Sequence, residues 1–304
     1  MTVCIAAICQ NHYGYPMVIG ATDRMMTAGD IEFEPPIAKV WQLTPQIVAL
    51  NAGEANAQAE ICARTQRFQP RSVEHAVRTY CRQLAKYNIV QAERKVLAPF
   101  GLTMKSFLEM QCDLSPSFVE QLRYDIKRER AGIQTIICGV DGFGAHIYSI
   151  DEDGSALCHN PIGFVAIGGG QWHASSQFMF GSYSPQMPLA RALVLLSYAK
   201  ERAAVAPGVG QQTDFFFMGN EFQWLAQTIR DDLLAGNEML RGVLELAWED
   251  IAGGFSGRLD AMLYGEKAPQ EAATVSVEED PVGDNSESES EDEAGEASDN
   301  PPVE

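Results

Sequence analysis

Two positions near the start of the chain have side chains able to do chemistry together if the fold joins them. Thr2 follows Met1, and removal of a methionine that precedes a small residue leaves a threonine carrying both a hydroxyl and a free α-amine. Taken alone, this is also how an ordinary first-strand threonine looks. Lys39 says more. In Ile37-Ala38-Lys39-Val40-Trp41-Gln42-Leu43, strand alternation sets Ile37, Lys39, Trp41 and Leu43 on one face. An ammonium among three large apolar side chains must pair with an acid or lose its charge, because an unpaired buried cation is very costly. Asp23, at the end of the apolar run Met17–Thr22, is the candidate partner. By itself that pair reads as a structural ion pair.

Other motifs carry less. Gly254-Phe255-Ser256-Gly257 lacks the second spacer of a nucleophile elbow. The histidines His12, His75, His146, His159 and His173 show no HExxH spacing, which disfavours a zinc hydrolase. Gly168-Gly169-Gly170 lacks the Lys-Ser/Thr of a phosphate loop and reads as a turn.

The elements that must position these residues are legible from pattern. Val3–Cys9 and Met17–Thr22 read as a hairpin, as do Lys39–Leu43 and Ile47–Ala52. The runs VCIAAIC and MVIGAT are apolar on both alternating faces, so their sheet is expected to be covered on both sides. Glu54–Phe68 and Val73 to about Lys95 have helical composition, and about Ala98 to Arg130 reads as an inserted helical hairpin. Strands follow at Ile133–Cys138, Ala145–Ile150 and Phe164–Ile167. A helix is expected from near Trp172 and another from Pro188, then a strand at Asp214–Met218 and helices at Glu221–Leu234 and Asn237–Ile251. The order predicts an α+β fold with two sheets sandwiched between helical layers.

The formal charge of −19 is unevenly spread. Residues 271–304 hold 13 acidic and no basic side chains, leaving 28 acidic against 22 basic before them. The expected organisation is one domain over residues 1–265 and a disordered acidic tail over 266–304, too polar to offset the entropy of ordering. No basic stripe or RNA-type aromatic motif points to nucleic acid. No signal peptide or run of 18 apolar residues points to secretion or membrane, so a cytoplasmic protein is expected. The seven cysteines, odd in number and without a CxxC pair, fit reduced thiols.

Four segments in register resemble proteasome β-type subunits and the related bacterial HslV peptidases: Thr2-Val3; Gly20-Ala21-Thr22-Asp23 with Thr27-Ala28-Gly29-Asp30; Ile37 to Leu43; and Asn51-Ala52-Gly53-Glu54-Ala55-Asn56-Ala57-Gln58. The likeness covers roughly the first 65 residues. It implies a four-layer αββα sandwich of the N-terminal nucleophile (Ntn) hydrolase type and a threonine peptidase that needs no cofactor or metal. Thr2 would be the nucleophile and its α-amine the base. Lys39 would lower the hydroxyl pKa, Asp23 would hold Lys39 charged, and the Gly53 N–H, ahead of a helix, would stabilise the oxyanion. Met26, Trp41, Asn51 and Ala55 would line the substrate pocket. The implied partners are peptide or unfolded-protein substrates, copies of the chain in a homo-oligomeric ring, and an ATPase unfoldase. Two departures stand out. Gly169 occupies the place where the family usually has a serine, and Ala206-Pro207-Gly208-Val209-Gly210 replaces an Asp-x-x-Ser-Gly stretch. They keep open a non-catalytic structural subunit, beside an Ntn amidase acting on small amides.

Overall fold

The computed structural model describes residues 2–264. The fold is mixed α+β with several sheets. The first sheet holds β1 (Val3–Gln10), β2 (Pro16–Asp23), β10 (Phe164–Gly168), β11 (Thr213–Met218) and β12 (Phe222–Trp224), in the order β10-β1-β2-β11-β12. The second holds β5 (Val40–Thr44), β6 (Ile47–Gly53), β7 (Ile133–Asp141), β8 (Gly144–Ile150) and β9 (Ala156–Cys158), in chain order. Every neighbouring pair in both is antiparallel.

The doubly apolar strands are explained by what covers each face. From β1, Val3, Ile5, Ala7 and Cys9 pack with Phe178 of α5 (Gln171–Phe180) and Leu196 of α6 (Leu189–Ala203). The alternate residues Cys4, Ala6 and Ile8 meet Val48 and Leu50 of β6 and Ile136 and Cys138 of β7, so the two sheets pack face to face. The other face of β6, Ile47 and Ala49, packs under Ile61 of α1 (Ala55–Gln66) and Tyr80 and Leu84 of α2 (Val73–Ala92). A fourth, smaller cluster joins Leu97 to Phe107 of α3 (Met104–Met110) and to Val119 and Leu122 of α4 (Pro116–Arg128).

The structure corrects several expectations. A short hairpin of β3 (Met26–Ala28) and β4 (Ile31–Phe33) follows β2, turning at Gly29 with φ +62°. Thr27–Asp30, a motif segment in the sequence, thus spans the turn of this hairpin. Strand β5 begins at Val40, so alternation does not govern Lys39, and Ile37 is 61% exposed instead of sharing a buried face with it. Helix α2 continues past Ala92 as a π-helical turn, Glu93–Leu97, then a short 3₁₀ turn carrying Pro99, which cannot extend a helix. The two expected C-terminal helices are instead β12 and one helix, α7 (Gln227–Tyr264). Gly236 lowers helix propensity by about 1 kcal/mol relative to alanine but keeps its N–H, so the helix runs through it. The chain divides into two units with the boundary between Glu245 and Leu246, and the expected acidic tail lies outside the described residues.

Candidate active site

Antiparallel register brings the start of the chain to the middle of the first sheet. Strand β1 lies between β10 and β2, with Val3 opposite Gly168 and Cys4 opposite Thr22, so Thr2 sits beside the glycine turn and the end of β2. Gly168 has φ +87°, and a Cβ there would stand 2.2 Å from the Thr2 carbonyl oxygen. Only glycine lets these two backbones approach so closely.

Asp23 is fully buried and its carboxylate is saturated. Oδ1 accepts from the Val3 amide at 2.9 Å, and Oδ2 accepts from the Met25 and Gly210 amides at 3.0 Å each. Lys39 Nζ donates to Oδ1 at 3.0 Å and to Oδ2 at 3.1 Å, and also to the Thr2 hydroxyl oxygen. The Lys39 carbonyl accepts from the Asn51 amide at 3.1 Å, which fixes its backbone to β6 of the other sheet. Desolvating both charges is expensive, and a buried pair is tolerable only when the remaining lone pairs are filled, as three backbone amides do here. The result is a hydroxyl with an ammonium pressed against its oxygen, an arrangement that favours the alkoxide.

Thr2 lines a cavity of about 740 Å³ together with Gly53, Gly168 and Gly169. One wall carries the carboxylates of Asp151, Glu152 and Asp153. Gly53 ends β6 with φ +112°, one residue ahead of the Glu54 cap of α1, and a Cβ there would meet the Gly132 carbonyl oxygen at 2.1 Å. Gln134, also on the cavity, accepts from the Gly168 amide at 3.1 Å and so ties the glycine turn to the second sheet.

Of the residues expected on sequence grounds, Thr2, Asp23 and Lys39 are brought into contact, and Gly53 shares their cavity. The four expected pocket residues are not among those lining it. Asn51 is buried in a network, its amide donating to Cys62 Sγ at 3.6 Å and its oxygen accepting from Thr135 at 3.0 Å. Trp41 packs against the cluster under α1 and α2, Met26 pairs with Phe33 in the β3–β4 hairpin, and Ala55 is exposed at the start of α1.

Other reactive groups are accounted for. Cys4 neighbours the site, but burial and then the Asp23 charge push its thiol pKa up, so it stays protonated. Ser149 Oγ and His159 Nε2 lie 2.8 Å apart, yet no carboxylate contacts His159 among the described residues. Burial lowers its pKa. No cluster of three or more His, Cys, Asp or Glu is arranged for a metal among the described residues.

Sequence reasoning noted Gly210 only as the end of a departure from the family pattern, not as a partner of Asp23, and missed Lys200. Lys200 lies four and seven residues after the buried Leu196 and Leu193, on the apolar stripe of α6, the kind of signal that singled out Lys39. No protein-family model and no curated protein sequence matches this chain.

Proposed function

We propose that this chain is a proteasome-type Ntn hydrolase, a threonine peptidase whose nucleophile is Thr2 once Met1, which lies outside the described residues, has been removed. The observation that carries this reading is the Thr2–Lys39–Asp23 contact at the wall of a cavity. The three core clusters, which set helices outside two facing sheets, support the four-layer αββα sandwich.

In the proposed reaction the Thr2 α-amine takes the hydroxyl proton, directly or through water, as Oγ1 attacks the carbonyl carbon of a peptide bond. Lys39 stabilises the oxygen as it loses that proton. The Gly53 N–H stabilises the oxyanion on the former carbonyl. The protonated amine then gives its proton to the leaving amine, the C–N bond breaks, and an ester on Thr2 remains. Water, deprotonated by the same amine, releases the acid and restores the hydroxyl.

The proposed assembly is a ring of copies enclosing the sites, with an ATPase unfoldase as its partner. Large apolar side chains exposed on α5, Trp172, Met179 and Phe180, favour a covered surface there. A non-catalytic structural subunit is the second reading, favoured by Gly169, which brings no hydroxyl to the cavity. Thr2→Ala tests the choice: peptide hydrolysis by wild type and none by the variant supports the peptidase, and equal activity in both removes Thr2 from the mechanism.

A further inference from the structure

Lys200 is 3% exposed, in the middle of the apolar face of α6. Its Nζ donates to the Gly210 carbonyl at 2.8 Å and to the Gln211 carbonyl at 2.7 Å. The Gly210 amide, one and two peptide units before those acceptors, donates to Asp23 Oδ2 at 3.0 Å. The same loop is held from its other side, where the Gln212 amide donates to Glu34 Oε1 at 3.1 Å and Arg24 bonds both Gln212 and Asp214. Gly210 is closely packed: a Cβ there would meet the end of the Glu34 side chain and stand 3.0 Å from the Met25 backbone nitrogen.

A buried lysine that served only packing would be replaced by methionine or leucine at no cost in desolvation. This one directs two N–H donors to the carbonyls of the loop that completes the Asp23 carboxylate. Burial lowers its pKa to about 8, against the opposing pull of the Asp23 and Glu34 charges, and two N–H donors remain in either protonation state.

Resting on the Thr2 reading above, we propose that Lys200 is a positioning residue of the site: it fixes the 210–212 loop so that the Gly210 amide orients Asp23, which in turn sets Lys39 on the Thr2 hydroxyl. Lys200 is not among the residues lining the cavity and acts only through the chain of contacts.

The test compares wild type, Thr2→Ala, Lys200→Met and Lys200→Gln in their inactivation by a peptide epoxyketone, separating the maximal rate kinact from the half-saturating concentration KI. Folding is checked by circular dichroism. For a folded Lys200→Met variant, kinact should fall by at least about tenfold with KI unchanged, because a misplaced nucleophile loses rate and not binding. Lys200→Gln, which keeps an N–H donor, should recover part of the loss. Folded variants with wild-type kinact would overturn the proposal, and so would failure of both to fold, which would make Lys200 a determinant of the fold as a whole. If wild type itself forms no Thr2 adduct, the peptidase reading fails separately. Lys200 is then scored by amide exchange over residues 206–214, where Lys200→Met should exchange faster at Gly210 and an unchanged rate would overturn the clamp.

Discussion

Among the described residues, the buried hydroxyls of Thr2 and Ser149 each meet a titratable side-chain nitrogen, and the two places differ in how that nitrogen is held. Thr2 and Ser149 are similarly buried, at 7% and 8% exposure, and the nitrogen is that of the Lys39 ammonium or the His159 imidazole. The difference lies behind that nitrogen. Lys39 is held by a carboxylate that three backbone amides fix in place, whereas no carboxylate contacts His159 among the described residues. Thr2 also opens on a cavity of about 740 Å³. Two hydroxyls equally close to a nitrogen thus differ in the support given to that nitrogen, and on the proposed reading it is this support that singles out Thr2.

The comparison breaks first at Lys39. Lys39→Met should lower the rate of Thr2 acylation by roughly 10²–10³-fold, the range for removing one electrostatic stabiliser of a developing charge, read as kinact with a covalent probe. Loss confined to binding would show that the ammonium does not act on the hydroxyl. Next is Gly168→Ala. Its φ of +87° and the Thr2 carbonyl 2.2 Å from the added Cβ predict destabilisation by about 1–3 kcal/mol in chemical denaturation, with slower acylation.

Lys200 supplies a pH signature. Its pKa of about 8 when folded, against an ordinary value near 10.5, means that the unfolded chain binds more protons between these values. Its contribution to stability is therefore greatest above pH 10.5 and is lost as pH falls through 8. The stability of wild type relative to Lys200→Met should rise by up to about 3 kcal/mol across that window, and a flat difference would contradict the burial of the ammonium. The smallest effect is expected at the second pair, where Ser149→Ala and His159→Phe should leave acylation of Thr2 within about twofold, as for sites that share no partners with it.

Much of this was legible from residue types. The runs VCIAAIC and MVIGAT announced a sheet covered on both faces, and Cys4 and Ile5 do turn to opposite cores. Lys39 announced a buried pair, although for a partly mistaken reason: it precedes β5, and Ile37 does not share its burial. The expected pocket residues do not line the Thr2 cavity, because sequence order does not reveal which face of a strand end meets a cavity. Asn51 turns toward α1, while the cavity wall comes from the distant Asp151–Asp153 turn. Gly210 acts through its backbone amide, which leaves no mark in residue type, and the Asp23 carboxylate shows its need for that amide only once the loop is folded beside it.

The central claim is tested most directly by an intact-mass spectrum of the purified protein before and after treatment with a peptide epoxyketone, with peptide mapping of any adduct. The account predicts loss of Met1 and a single adduct on Thr2, absent in Thr2→Ala. Retention of Met1, or a processed Thr2 that stays unmodified, would contradict it.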